Sequence, residues 1–284
     1  MSDYMEKRQN SDADNPGGSG EGNDSGQSSG PESARQVFGR RVDRYAELDV
    51  FSEEQYYRSL LDLADPRPGD HVLDLATGTG LLALMMARMA ARVTGADITP
   101  EMLEKARGRL AAAGLDNVEF LEAAVPELPF PDGSFDLVTC RLAFHHFTDP
   151  AEALAEISRV LKPGGRFVME DVFGLDDAAI REKRERLEKL FDPSHVRAYS
   201  PTELRGLLQA AGFGISGELE PYTRGLPVDF MLKLERIEDP EDRTQIIQLL
   251  NENLDADLGG FQPTEVEGEL VLRWQTIIIA AVKT

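Results

Sequence analysis

Cysteine and histidine are scarce in this chain of 284 residues, and their scarcity excludes two kinds of protein. The sequence has one cysteine, Cys140, and four histidines. One cysteine cannot build a disulfide framework, and so few soft ligands cannot supply a structural zinc site. We therefore expect no metal site, and we interpret Cys140 as a small buried apolar residue of a strand.

Positive charge is also in short supply. Acidic residues outnumber lysine and arginine by 51 to 30, which gives a formal charge of −21. Proteins that bind nucleic acid neutralise its phosphates with basic side chains, and anionic membrane surfaces attract the same residues. The composition therefore predicts no nucleic-acid partner.

Long hydrophobic runs are missing as well. The longest apolar segments, Leu81–Ala91 and Thr276–Val282, fall short of the ~18 residues that indicate a membrane-spanning helix. Residues 1–10 are polar and contain no apolar core of a signal peptide. We expect a cytoplasmic protein without an integral membrane segment.

The chain is predicted to have one folded domain behind a polar tail. Ser11–Gly30 holds six glycines and five serines, too little apolar surface to offset the entropy of ordering, so residues 1–34 are interpreted as a disordered tail. Residues 35–284 form the domain, in which residues 35–68 are expected to be an N-terminal helical cap. Residues 220–269 are expected to be an inserted helical region that serves as a lid or substrate wall.

Short apolar strands and amphipathic helices alternate along the domain. The predicted strands are His71–Leu75, Arg92–Ala96, Val118–Ala123, Phe135–Cys140, Arg166–Val172, Phe213–Leu219 and Leu270–Val282. The predicted helices are Leu81–Ala90, Pro100–Ala113 with Thr99 as its N-cap, a helix from Asp149 to near Leu161, the mostly exposed Asp176–Leu190, Ser200–Ala211, and one or two within Val228–Asp257; Lys162–Gly165 is predicted as a turn. This alternation predicts an α/β fold, a doubly wound, mostly parallel seven-stranded sheet with helices on both faces and an inserted helical segment before the last strand.

A glycine turn follows the first predicted strand. Gly78 and Gly80 let a ligand approach the backbone between strand and helix, as in dinucleotide-binding turns. Asp74 ends the first strand, where a carboxylate can reach the amine of an amino-acid-like ligand. Asp97 ends the second strand, where an acid can bond to ribose hydroxyls. A nicotinamide cofactor remains an alternative at this point, although Asp74 favours a ligand that carries an ammonium group.

Five segments, the first of which contains the glycine turn, resemble one family in order and spacing. They are VLDLATGTG (72–80), VTGADIT (93–99), LPFPDGSFDLVTCRLAFHHF (128–147), EISRVLKPGGRFVMED (156–171) and DPSHVRAYSPTEL (192–204). Together they resemble the class I S-adenosylmethionine (SAM)-dependent methyltransferases, in the branch of the ubiquinone/menaquinone biosynthesis enzymes. The resemblance implies a Rossmann-like fold, SAM as cofactor and methyl transfer to a small-molecule acceptor.

The resemblance also implies which residues meet the cofactor. The residues that it assigns to SAM are Tyr45, Asp74, Ala76, Thr77, Gly78, Gly80, Asp97, Ile98, Met102, Ala124, Val125 and Arg141. Asp97 would hold the ribose, Ile98 and Met102 would lie against the adenine, and Arg141 would contribute its backbone. Many relatives carry an aspartate where this chain has Ala124, so adenine would rely here on backbone groups and apolar packing.

Candidate catalytic residues follow the fourth predicted strand. Methyl transfer from a sulfonium requires mainly that nucleophile and methyl be held together without water. His145 and His146 lie at the carboxyl end of that strand, where ligands bind in open α/β sheets, and a histidine suits proton removal from an enol, phenol or amine. His195, with Arg197 and Tyr199, either faces the acceptor or forms a surface turn.

The sequence thus predicts an enzyme, a SAM-dependent methyltransferase that acts on carbon, oxygen or nitrogen of a small organic acceptor. A SAM-binding protein without catalysis and a nicotinamide-dependent oxidoreductase are the alternatives. We expect a monomer or a homodimer.

Overall fold

The computed structural model describes residues 33–47 and 55–284. The polar tail expected over residues 1–34 lies outside them apart from its last two residues, as do residues 48–54 of the expected N-terminal cap.

The described residues form a sheet of eight strands. The strands are β1 (His71–Leu75), β2 (Arg92–Asp97), β3 (Val118–Glu122), β4 (Phe135–Arg141), β5 (Leu161–Val172), β6 (Phe213–Pro227), β7 (Phe261–Val266) and β8 (Glu269–Lys283). Their order is β3-β2-β1-β4-β5-β8-β6, and β7 also pairs with β8. Strands β1 to β5 are parallel to one another, and β8 runs antiparallel to β5, β6 and β7.

Helices cover both faces of this sheet, so the doubly wound α/β fold is confirmed. The helices are α1 (Ala34–Glu47), α2 (Gln55–Ala64), α3 (Leu81–Met86), α4 (Pro100–Ala113), α5 (Pro150–Val160), α6 (Ala178–Phe191), α7 (Pro201–Ala210), α8 (Val228–Leu234) and α9 (Pro240–Glu252), with a 3-10 turn at Phe144–His146. Buried residues of α2, α3 and α4 form one core. Those of α5 and α7 form the core on the opposite face.

Several boundaries differ from the sequence prediction for local reasons. The helix predicted over Leu81–Ala90 ends at Met86, and the chain then turns toward β2. Thr99 is at the N-cap of α4, yet its side chain makes no capping bond. The predicted turn at Lys162–Gly165 is the start of β5, where the pairing with β4 shifts register.

The prediction of seven strands was wrong because β7 lies inside the region that was expected to be helical. Strand β6 also continues to Pro227, eight residues beyond its predicted end. Since Val172 at the end of β5 pairs with Thr276, residues of β8 before Thr276 extend beyond the carboxyl edge of the parallel strands. There β8 pairs with β6 on one side and β7 on the other, and α6, α8 and α9 pack on this extension in a third core.

Helix α6 was expected to be mostly exposed, yet one face of it is buried. Arg184, Leu187, Glu188 and Phe191 are buried on its inner face. Arg184 pairs with Glu188, and its guanidinium carbon lies 3.4 Å from the centre of the Phe261 ring. The charged residues that made the helix look exposed include a pair that is neutralised inside the third core.

Candidate functional site

The glycine turn between β1 and α3 presents backbone to a cavity. Ala76 and Gly78 have φ of 55° and 54°, a left-handed conformation that is strained for alanine and free for glycine. Thr77 N donates to Ala96 O at 3.0 Å, which ties the turn to β2. A Cβ built on Gly78 would meet no atom within 4 Å. A ligand can therefore lie directly against this turn.

Asp97, at the end of β2, organises the same turn. Its Oδ2 accepts a hydrogen bond from Gly78 N at 2.8 Å, and its Oδ1 accepts one from Thr99 N at 2.9 Å. Burial raises the pKa of Asp97, and the backbone hydrogen bonds from Thr99 and Gly78 oppose that rise. The Thr99 side chain and the Ile98 backbone also bond to this carboxylate, which fixes its position at the edge of the turn.

Asp74, at the end of β1, is held by two threonines. Thr77 Oγ1 donates to Oδ2 at 2.6 Å, and Thr139 Oγ1 of β4 donates to Oδ1 at 2.8 Å. Burial raises the pKa of Asp74 to about 6. A ligand cation beside this carboxylate would offset the cost of burying its charge.

Gly80 serves packing. A Cβ there would lie 2.8 Å from Cζ of Phe120, and one on Gly95 would lie 2.5 Å from Cδ1 of the same ring. The two glycines therefore make room for the Phe120 ring, which holds β3 and α4 against the turn. This steric requirement is independent of any ligand.

A cavity of about 410 Å³ opens at the carboxyl edge of the parallel strands. Of the residues that the sequence assigned to the site, those that line it are Tyr45, Asp74, Ala76, Thr77, Gly78, Asp97, Ile98, Met102, Ala124, Val125, Arg141, His145 and His146. Gly80 does not line it. The volume is within the ~300–1,000 Å³ of small-molecule sites.

Arg141 brings a cation into the inner half of the cavity. Its Nε donates to Glu170 Oε2 at 2.7 Å, and its guanidinium carbon lies 4.4 Å from the centre of the Tyr57 ring of α2. Thr276 Oγ1 donates to the other oxygen of Glu170 at 3.0 Å. Arg141 is thus fixed by a buried carboxylate and an aromatic ring.

The two candidate histidines have different surroundings. His145 Nδ1 lies 2.5 Å from Oδ1 of Asp171, a carboxylate 2% exposed at the end of β5. Burial lowers the pKa of His145, but the charge of Asp171 and its hydrogen bond raise the pKa by more than burial lowers it. The pKa of His145 is therefore raised overall. His146 Nδ1 lies 3.1 Å from Ser194 O, so it carries the proton and donates. Burial and neighbouring His145 lower the pKa of His146 to about 3.

His195 is not part of a surface turn. It is 5% exposed, its ring stacks on His145 with centroids 5.5 Å apart, and its Nε2 lies 2.9 Å from Oε2 of Glu185. The ring of His146 packs on His145 at 4.0 Å. The three imidazoles form a column in which His145 is the middle ring.

The outer half of the cavity is built by the cap and the extension. Its walls include Phe38, Tyr45, Glu188, Phe191, Asp192, Met231, Leu234, Glu235, Phe261 and Trp274. Arg41 of α1 pairs with Glu235 and donates from Nη2 to Phe191 O at 2.9 Å. Tyr45 OH donates to Glu235 Oε1 at 3.3 Å. Burial raises the pKa of Glu235 to about 7.

The charge on the cavity wall is strongly one-sided. Seven acidic residues of the described chain line it: Asp74, Asp97, Asp149, Glu152, Glu188, Asp192 and Glu235. Within those same described ranges, Arg141 is the one lysine or arginine on the wall. Arg41 and Arg184, behind the wall, pair with Glu235 and Glu188, so the attraction for a ligand cation is strongest beside Asp74 and Asp97.

Sequence reasoning missed several of these residues, namely Tyr57, Glu170, Asp171, Glu235 and Trp274. Glu170 and Asp171 had a usable signal, because they are acids at the carboxyl end of a strand, as Asp74 and Asp97 are. The others come from helices and strands whose position over the cavity has no local sequence pattern.

In the part of the chain that the structure describes, no cluster of three or more potential metal ligands occurs. Over the same residues no helix has the length and apolarity to cross a bilayer.

Comparison with known proteins identifies the chemistry. A family profile described as "Methyltransferase domain" matches residues 73–169. The chain is 35% identical to the uncharacterized methyltransferase YcgJ of Bacillus subtilis over 75% of its own length and 84% of the relative. It is 40% identical to a demethylmenaquinone methyltransferase of Thermus thermophilus over 61% of its own length and 87% of that protein.

Solved structures agree with the sequence relatives. The crystal structure of Bacillus subtilis YcgJ matches with a TM-score of 0.75 at 31% identity, covering 81% of this chain and 99% of that one. A geranyl diphosphate methyltransferase in complex with SAM has a TM-score of 0.59 at 18% identity, covering 87% and 91%, and shares the fold. The resemblance drawn from the motifs is therefore confirmed over the nicotinamide alternative. The chain belongs to the SAM-dependent methyltransferases, with SAM as its cofactor.

Proposed function

We propose that the protein moves the methyl group of SAM to a small organic acceptor that gives up a proton to His145. The observation that carries this proposal is the 2.5 Å contact between His145 Nδ1 and Asp171 Oδ1. When bound, SAM supplies an electrophilic methyl group. The part left to the protein is to hold the nucleophile in line, exclude water and accept the proton.

Asp171 is suited to orient the base. Its carboxylate also accepts from His145 N at 3.0 Å and from Val172 N at 2.7 Å, so its position is fixed by three hydrogen bonds. In the neutral imidazole the Nδ1 proton faces this carboxylate, which leaves Nε2 with the lone pair that can take a proton. His146, with a pKa of about 3, is a weak base, and we assign it to positioning His145 and the turn at Ser194.

The remaining lining residues are proposed to hold the cofactor. Asp97 would accept from the ribose hydroxyls, and Asp74 would face the ammonium group. Ile98, Met102, Ala124 and Val125 would enclose the adenine, and Ala76, Thr77 and Gly78 would lie along the turn with Tyr45 closing from α1. Two features support this arrangement, the open space over Gly78 and the excess of acids around a site for a sulfonium.

The acceptor is proposed to enter the outer half and to carry no carboxylate or phosphate. Aromatic and aliphatic side chains line this half, and its polar wall residues Glu188, Asp192 and Glu235 offer an anion no cationic partner. Arg41 and Arg184, the nearby arginines, already pair with Glu235 and Glu188. A relative named demethylmenaquinone methyltransferase makes a quinol the first acceptor to try.

The wider assignments are proposals of the same kind. Residues 35–284 would be the catalytic domain, with residues 35–68 as its cap and residues 220–269 as its acceptor wall. We further propose a cytoplasmic monomer or homodimer that binds no nucleic acid, in keeping with the charge of −21.

The test measures release of S-adenosylhomocysteine from SAM in the presence of a demethylmenaquinol with a short side chain, uncharged phenols, and their carboxylated analogues. For the uncharged compounds the rate should rise with pH through the pKa of His145, above the ordinary 6.5. His145→Gln should lower kcat by about 10²–10⁴-fold. Asp171→Asn should move the midpoint to lower pH, since it removes the charge that raises the pKa.

His146→Gln is the matched control, and it should keep the pH midpoint that His145→Gln loses. A rate that survives His145→Gln would refute the base. Turnover of the carboxylated analogues at the same rate as the phenols would refute the charge argument.

A further inference from the structure

The carboxylate of SAM needs a partner in a cavity whose wall is acidic. SAM carries two cationic groups, the sulfonium and the ammonium, and one anionic group. The acids on the wall suit the two cations, but they would repel the carboxylate. Among the described residues that line the cavity, Arg141 is the one cationic side chain of fixed charge that could offset this repulsion.

The guanidinium of Arg141 has donors to spare. Its Nε donates to Glu170, and no other hydrogen bond joins this guanidinium to the described residues. Its Nη2 is buried and makes no hydrogen bond to them, which is costly for a charged donor. An arginine presents five N–H groups in a planar fork, which matches the two oxygens of a carboxylate.

Arg141 also lies beside the residue that suits the ammonium. Strands β1 and β4 are neighbours, and Thr139, two residues before Arg141, donates to Asp74. Burial raises the pKa of Asp74, and the charge of Arg141 offsets part of that rise, so the two groups interact across the cavity floor. The ammonium and the carboxylate of an amino acid are attached to one carbon, so their partners must be neighbours in this way.

We propose that the Arg141 side chain binds the carboxylate at the amino-acid end of SAM, with Asp74 beside it for the ammonium. The role implied by family resemblance was a contact through the Arg141 backbone. Glu170 and the Tyr57 ring hold the fork in place, so Arg141 loses little freedom when the carboxylate arrives. Arg141 is thus a binding residue for the cofactor and is independent of the assignment of His145 as base.

The experiment compares two ligands that differ by the carboxylate. Isothermal titration of the full chain uses S-adenosylhomocysteine and its decarboxylated analogue, S-adenosyl-3-thiopropylamine. The wild-type protein should bind S-adenosylhomocysteine at least about tenfold more tightly. Arg141→Met should weaken its binding by at least about tenfold and change the Kd of the decarboxylated analogue by less than about threefold.

A second variant distinguishes loss of carboxylate binding from loss of the fold. Arg141→Met removes the cation that pairs with the buried Glu170, so Arg141→Met/Glu170→Gln removes both charges together. It should show the same selective loss for S-adenosylhomocysteine, with a cooperative thermal transition that establishes folding. Equal affinity of the wild-type protein for the two ligands, or an equal loss for both ligands in the double variant, would overturn the proposal.

Discussion

Ionisation of Asp74 should cost the ligand-free protein stability that SAM restores. Asp74 is 2% exposed, and burial raises its pKa from 3.8 to about 6. A carboxyl group that holds its proton more tightly in the folded state stabilises the fold fully below the unfolded pKa. It loses that contribution as pH rises through the folded pKa. A rise from 3.8 to about 6, at ~1.36 kcal/mol per unit, corresponds to roughly 3 kcal/mol above pH 7.

Asp74→Asn removes the ionisation at nearly constant volume. The free energy of unfolding of the variant, minus that of the wild type, should increase by about 1.5 kcal/mol between pH 5 and pH 7.5. Any change in the hydrogen bonds from Thr77 and Thr139 adds a constant to this difference, so the pH dependence isolates the charge. Urea unfolding followed by circular dichroism at the two pH values measures it, with Asp62→Asn on the exposed face of α2 as the control.

Binding provides the second half of this prediction. The wild type should bind S-adenosylhomocysteine more weakly as pH falls below about 6, because Asp74 then becomes protonated and loses its attraction for the ammonium. Asp74→Asn should bind weakly at every pH. A stability difference that is the same at pH 5 and pH 7.5 would refute the reasoning.

Two packing predictions concern the supports of the cavity. A Cβ on Gly95 would lie 2.5 Å from Phe120, so Gly95→Ala should cost about 1–3 kcal/mol of stability, and less in a Phe120→Leu background. Urea unfolding of the wild type, the two single variants and the double variant tests this. Equal costs of Gly95→Ala in both backgrounds would contradict it. Arg184 donates to Glu188 at 2.5 Å and to Gly259 O at 2.5 Å, so Arg184→Met should cost about 3–5 kcal/mol by leaving Glu188 uncompensated. Thermal melts should show partial recovery in Arg184→Met/Glu188→Gln, and a double variant no more stable than the single one would argue against a buried charge as the cause.

The sequence predicts well what is encoded by short-range patterns. The alternation of strands and helices gives the parallel sheet, and the carboxylates Asp74 and Asp97 fall at strand ends because strand ends are visible as the limits of apolar runs. Asp149 is a further example, since its side chain accepts from Ala151 N and Glu152 N at the start of α5. In these cases one stretch of chain contains the whole signal.

Features that depend on distant partners were missed. Pro263 argues against a strand, yet β7 tolerates it because, among the described strands, β7 pairs with β8 alone and needs no N–H from Pro263 for a second strand. His145 and Asp171 belong to different strand ends, and nothing local indicates that they meet. The shortening of α3 at Met86 has the same origin, because the residues that follow are good helix formers and only the approach to β2 redirects them.

The pairing of Arg41 with Glu235 has a consequence for how the enzyme is made. These residues are separated by 194 positions in the chain, and they join α1 to the end of α8 over the outer half of the cavity. During synthesis the sheet strands β1 to β5 can pair long before residue 235 exists. The outer half of the cavity cannot close until residues 220–269 have left the ribosome and α8 has packed against α1, which is made earlier. A nascent chain with a formed glycine turn therefore still has no enclosed place for an acceptor.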